Sequence, residues 1–136
     1  MAVSFPSGEW LDALCEKLNS DGRYRQIARN WEGDLVFDIV ADSRLPSPLT
    51  MYLDLWHGQC RAVEYNPAAA THPAAKFTLR SEYANFASIL LGNIDPMTAM
   101  LTSRLKVEGN LGYMMRNVPT VLDFVRCARE ITTAVL

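Results

Sequence analysis

The 136-residue sequence predicts an α+β fold, a five-stranded, mostly antiparallel sheet with helices covering one face. Three observations lead to that class. Five short runs alternate apolar and polar residues with a period of two, which sets one face of a sheet on a core and the other in water. Four of those runs follow one another without intervening helices, a grouping that favours α+β over doubly wound folds. The segments before and after them repeat apolar residues at helical spacing instead.

Ser7 stands as an N-cap before Trp10, Leu11, Leu14 and Leu18, whose i, i+1, i+4, i+8 spacing predicts a first helix of about three turns. Asn19-Ser20-Asp21-Gly22 stops it, and a second short helix is expected through Tyr24, Ile27 and Ala28. The first strand alternates Leu35, Phe37, Ile39 and Ala41 with Val36, Asp38 and Val40. The second alternates Met51, Leu53 and Leu55 with Tyr52, Asp54 and Trp56. Pro46 and Pro48 mark a loop between them, and His57-Gly58 supplies a tight turn into a third strand, Gln59 to Tyr65. An Ala/Pro-rich loop, Asn66 to Ala75, leads to a fourth strand with Phe77 and Leu79 facing inward.

Ser81 reads as the cap of a helix whose face carries Tyr83, Phe86, Ala87 and Leu90, closed by Gly92. Asp95 followed by Pro96 is a second cap with proline at the first helical position. Met97, Met100 and Leu101 mark the apolar side of that helix, and Leu105 and Val107 alternate with Arg104, Lys106 and Glu108 in a fifth strand. Leu111, Met114, Met115 and Val118 share a helical face, Pro119 opens a last helix after Asn117, and that helix is expected to reach the C-terminus. At ~100° per residue, Asp123, Arg126, Glu130 and Thr133 gather on one side of it. Val121, Phe124, Val125, Ala128, Ile131 and Val135 fill the rest, an apolar arc that suits either a lid or a subunit contact.

Composition narrows the function. At this length one core suffices, since folding buries roughly 68–70% of the chain's surface, and the reading is of a single domain over residues 1–136. With 49% hydrophobic and 21% charged residues the chain is neither disordered nor a membrane span. Thirteen basic and fifteen acidic side chains are interspersed, which argues against a nucleic-acid surface. Met1 to Gly8 has no basic segment leading into an apolar run, so no signal peptide is expected. Cys15, Cys60 and Cys127 are an odd, widely spaced set without CxxC, the usage of a reducing, cytoplasmic setting.

A catalytic reading can be drawn from His57, Cys60, Asp38 and Asp54. The pattern opposes it. His57 falls in a turn, strand alternation points Cys60 toward the apolar face with Ala62, and Asp38 and Asp54 fit the solvated face, where Arg61 has either as a partner. No zinc spacing, P-loop, GxGxxG or GxSxG is present. His72, before Pro73, reads as a solvated loop histidine. No enzyme activity, metal or cofactor is therefore expected.

The local patterns together resemble the sterol carrier protein 2 family. The likeness runs from the helix of Trp10 and Leu14 through Gly33-Asp34-Leu35-Val36-Phe37, His57-Gly58-Gln59-Cys60 and Ala75-Lys76-Phe77-Thr78-Leu79. It continues through Ser81-Glu82-Tyr83-Ala84-Asn85-Phe86, Leu91-Gly92, Asp95-Pro96-Met97-Thr98-Ala99-Met100 and the stretch from Arg104 to Asn110. Ser103 departs from it where relatives often have glycine. The chain ends Thr133-Ala134-Val135-Leu136 instead of in the peroxisomal tripeptide of some members, so that address is not implied.

The resemblance implies an apolar cavity between sheet and helices that takes an acyl chain, an acyl-CoA, a sterol or an isoprenoid. The family's lining maps here onto Phe86, Ile89, Leu90, Met97, Met100, Leu101, Met114, Met115, Val118 and Leu122. Four of the six methionines lie between Met97 and Met115, and thioether side chains repack around varied shapes, although they equally fill cores. Arg104, Lys106 and Arg116 are candidates for an anionic head group, each also an ordinary surface cation. The expected partner is a lipid-like small molecule, with transient membrane contact, no stable insertion, and a homodimer as the alternative use of the last helix. A scaffold that uses the same fold without a ligand is the other reading.

Overall fold

The computed structural model describes residues 3–67 and 72–136. Helix α1 (Gly8–Ser20) starts where the Ser7 hydroxyl accepts the Trp10 amide at 3.0 Å, and buries Trp10, Leu11, Leu14 and Leu18. Asp21 ends α1 and caps α2 (Gly22–Ile27), its carboxylate accepting the Tyr24 amide at 2.9 Å.

Five strands follow the alternation in the sequence: β2 (Leu35–Val40), β3 (Leu49–Trp56), β4 (Gln59–Tyr65), β5 (Phe77–Glu82) and β6 (Lys106–Gly109), preceded by the short β1 (Ser4–Phe5). Their order in the sheet is β4-β3-β2-β5-β6, antiparallel except for the central β2–β5 pair. The parallel pair requires the chain to cross the sheet between β4 and β5. That crossing carries His72 over the outer face, where its ring stacks on Tyr52 with centroids 3.5 Å apart and its Nε2 pairs with Glu64. His72 is thus a packed residue and not a solvated one; residues 68–71 of the same loop lie outside the described residues.

The inner face carries Leu35, Phe37 and Ile39 opposite Leu53, Met51 and Leu49, continued by Phe77 and Leu79. Outer-face charges pair across strands, Arg61 with Asp54 at 2.9 Å and Arg80 with Asp38 at 2.7 Å. A bulge shifts the β3–β4 register between Asp54 and Leu55, so Cys60 faces the core opposite Leu55 while Ala62 joins Asp54 on the outer face. Ala62 therefore does not share the side of Cys60, because the extra residue, Arg61, resets the alternation. In the β3–β4 turn His57 and Gly58 both have positive φ, 51° and 80°, the requirement of a tight primed turn.

Ser81 lies inside β5, opposite Ile39, with its hydroxyl donating to the Arg104 carbonyl. It does not cap α3 (Tyr83–Leu90). The free amide of Ala84 is met instead by the Asp42 carboxylate at 2.8 Å, from the β2–β3 loop. Helix α4 (Pro96–Leu101) has the expected Asp95 cap on Thr98, and α5 (Leu111–Arg116) is capped by Asn110 on Tyr113. Ser103 sits at φ 62°, the left-handed conformation that glycine adopts most easily.

Helix α6 (Val118–Ile131) stops short of the C-terminus. The Thr132 hydroxyl accepts the Trp10 indole N–H at 2.7 Å, and the chain then runs into β7 (Ala134–Val135), parallel to β1. Thr133 and Val135 consequently belong to neither face of the helix.

Nor is the polar side of α6 a solvated one. Asp123 is 4% exposed and Arg126 reaches Asp21, Asp123 and Glu130, which ties α6 to the α1–α2 corner. No described helix is long and apolar enough to cross a membrane.

Candidate ligand cavity

Between the inner face of the sheet and the helices lies a cavity of about 80 Å³ onto which no polar atom opens. Its floor is Leu35, Phe37, Leu55 and Leu79, the inward residues of β2, β3 and β5. One wall is aromatic, with Phe5 of β1, Trp10 of α1, Tyr24 of α2 and Trp31 between α2 and β2. The other is helical: Phe86, Ile89 and Leu90 of α3, Met100 of α4, Met114 of α5, and Val121, Phe124, Val125 and Ala128 of α6. Phe37 fixes the middle, edge-on to Phe86 at 5.8 Å and tilted against Phe124 at 6.1 Å.

Almost every lining residue is buried. The half-buried members, Leu90, Met100, Phe124 and Val125, stand together at the α3–α4–α6 junction, which makes that junction the mouth. The free volume is roughly half the ~150 Å³ that suffices for benzene.

Phe86, Ile89, Leu90, Met100 and Met114 line this space, while Met97, Leu101, Met115, Val118 and Leu122 stand outside it. For Leu101, Met115 and Leu122 the reason is helical geometry. Successive residues point ~100° apart, so of each neighbouring pair Met100/Leu101, Met114/Met115 and Val121/Leu122 the first turns inward. Leu101 is 72% exposed as a result. The floor and the aromatic wall were readable only as inward-facing strand and helix positions. Nothing in the sequence said that they meet at one void.

The polar clusters are all internally satisfied. Lys106 sits opposite Arg80 on the outer side of the sheet, and Arg104 and Arg116 are exposed, so none of the three lines the cavity. His57 pairs with Glu32 at 2.6 Å, whereas the Cys60 thiol, its ionisation opposed by burial, contacts the Ala62 carbonyl, so no catalytic grouping is assembled from them. Asp21, Asp123 and Cys127 bring potential metal ligands within 4.8 Å of one another, but the Arg126 guanidinium already holds both carboxylates. A polar recess on the outer face is spanned by the Arg61–Asp54 pair, the Tyr52–Asp34 hydrogen bond and Lys76 bound to the Glu32 carbonyl.

A mixed five-stranded α+β sheet with helices over one face is the fold of the sterol-carrier class. The chain matches the SCP-2 sterol transfer family over residues 11–121 and belongs to that family. A crystal structure of sterol carrier protein 2 is 29% identical with a TM-score of 0.81, covering 90% of this chain and 95% of that one. The solution structure of a candidate sterol carrier protein from Thermus thermophilus is 28% identical with a TM-score of 0.81, covering 93% of this chain and 88% of that one. Sterol carrier protein 2 of Aedes aegypti, solved with palmitate, shares the fold at 17% identity and a TM-score of 0.55, covering 87% and 92%. No curated protein matches the chain.

Proposed function

We propose that this chain is a single-domain, non-catalytic carrier that binds a lipid-like molecule by its hydrocarbon part in the cavity beneath α3, α4 and α6. The observation that carries the reading is the wall itself, on which no polar atom opens. Such a space stays dry and offers an apolar group a place that water does not contest. Each methylene withdrawn from water contributes roughly 0.8 kcal/mol. Family membership and the palmitate complex of the Aedes aegypti relative support the same class of ligand.

The volume sets a condition. A few methylenes contribute roughly 3 kcal/mol, weaker than a millimolar affinity, so useful binding requires the wall to open. Met100 at the mouth and Met114 deeper in are its most adaptable members, with unbranched thioether side chains that change rotamer at little cost. The helices at the mouth admit the rest of the chain by moving apart.

The same volume favours one alternative, a scaffold whose cavity is nearly filled by its own side chains. Extraction of purified protein with organic solvent, followed by mass spectrometry and displacement of a fluorescent fatty acid, separates the two. A carrier yields bound lipid and displaces the probe. Neither lipid nor displacement would leave the scaffold standing. Met100→Glu, at a half-buried lining position, abolishes displacement if the cavity is the site, with a thermal melt of the variant confirming that it is folded.

A further inference from the structure

Cys15 and Cys60 stand 45 positions apart in the sequence and meet where α1 packs on the edge of the sheet. Strand β4 is an edge strand, so its outer backbone groups have no further strand to pair with. Asn19 of α1 pairs with them instead. Its Nδ2 donates to the Cys60 carbonyl at 2.9 Å, and its Oδ1 accepts the Cys60 amide at 2.8 Å. Cys15, one turn before Asn19 on the same face of α1, lies against the same stretch of backbone, its thiol donating to the Cys60 carbonyl at 3.6 Å.

The two thiols differ in their surroundings. Cys60 is 4% exposed, whereas Cys15 is half-buried. Burial first, and then the neighbouring Cys15 side chain, keeps the Cys60 thiol protonated. Cys127 is fully buried on α6, beside Asp21 and Asp123. An oxidant arriving from solvent therefore meets Cys15 first, and a second, sheltered thiol stands next to it. An accessible sulfur beside a resolving one is the arrangement of redox-responsive cysteine pairs.

We propose that Cys15 and Cys60 form a reversible disulfide in response to hydrogen peroxide, a modification that fastens α1 to the edge strand β4. The Cys15 thiolate attacks one peroxide oxygen and the O–O bond breaks. Hydroxide leaves, taking up the proton the thiol gave, and Cys15 becomes a sulfenic acid. The Cys60 sulfur then attacks the Cys15 sulfur, the S–O bond breaks, and the departing hydroxide carries off the Cys60 proton as water. Two thiols lose two electrons in all, and one peroxide is reduced to two waters. Because Cys60 holds its proton, the second step is the slower one. A dithiol reductant restores both thiols by exchange, and in a reducing compartment such a bond is transient. The pairing does not depend on any ligand in the cavity.

The test treats the reduced full chain with a few-fold molar excess of hydrogen peroxide near neutral pH, alkylates the free thiols, and maps the unreduced digest by mass spectrometry. The expected product is the Cys15 peptide joined to the Cys60 peptide, two hydrogens lighter than their sum and separated again by dithiothreitol. Cys60→Ala is expected to lose the link and to leave a Cys15 sulfenic acid that dimedone labels. Cys15→Ala is expected to leave Cys60 unoxidised.

Sulfinic acid on Cys15 with Cys60 still a free thiol would mean that the two sulfurs only pack together, and overturns the proposal. A Cys15–Cys15 link between two copies, a link through Cys127, or three thiols that survive the treatment overturn it as well. Should Cys60→Ala not fold, the wild-type map decides alone, since each of these products is read from it directly.

Discussion

The Asp123 carboxylate, only 4% exposed, receives two hydrogen bonds from Arg126 one turn along α6, Nε to Oδ1 at 2.8 Å and Nη2 to Oδ2 at 3.1 Å. The same guanidinium reaches Asp21 at 2.8 Å, so one side chain fastens α6 to the corner between α1 and α2. The opposite side of α6 borders the cavity mouth. The helix is thus anchored on one side and apolar on the other.

What each partner leaves behind decides the cost of losing it. Arg126→Met strands a buried Asp123 with only Arg23, whose side chain is 69% exposed, and is expected to destabilise by about 3 kcal/mol or more. Asp123→Ala leaves Arg126 paired with Asp21 and Glu130 and costs about 1–2 kcal/mol. Urea unfolding of both variants checks the order; equal losses would mean the guanidinium is not the centre of the network.

The same network predicts acid lability. The Arg126 hydrogen bond, with the Tyr24 backbone amide, holds the Asp21 carboxyl well below the ordinary carboxylate range, and Lys17 and Arg126 lower Glu130. A depressed carboxyl contributes stability that is complete above its unfolded value near ~3.9 and is lost as the pH falls through the lower, folded one. Thermal melts should therefore be flat from pH 7 to about 5 and fall below about 4. Asp21→Asn, which removes the titrating group, should flatten that acid limb.

Gly109 lies opposite Phe77 with φ 129°, and a Cβ there would stand 2.4 Å from the Lys76 carbonyl oxygen. Backbone cannot yield as a flexible side chain does. Gly109→Ala is expected to lower stability by about 2 kcal/mol or more, through strain in β6 and its separation from β5. A chemical denaturation curve indistinguishable from wild type would show that the edge strand adjusts freely.

Thiol reactivity should divide the cysteines. Burial pushes the Cys127 thiol up to about 11 and raises Cys60 too, so both stay protonated at neutral pH and are shielded as well. Cys15 is half-buried. Titration of native protein with an aromatic disulfide reagent at about pH 7.5 should count one rapid thiol, and all three only after unfolding.

The elements were legible because each depends on neighbours in sequence. Period-two runs such as Leu35-Phe37-Ile39 have one way to sit half-buried, and caps such as Ser7, Asp95 and Asn110 act within three residues. Ser81 was misplaced by the same logic: a serine ahead of a helix satisfies a local rule, but the partner that claimed its hydroxyl, Arg104, lies 23 residues away. The stop of α6 at Ile131 was equally hidden, since it turns on an indole from α1 and a parallel pairing with β1.

By itself, then, the sequence determined the five strands of the main sheet, most helices, the absence of known catalytic spacings, and the family likeness. Only the tertiary structure decided which apolar residues face a void and which merely face one another. Periodicity assigns a residue to a side of its own helix or strand, whereas a cavity exists only where side chains from distant segments fail to fill the space between them.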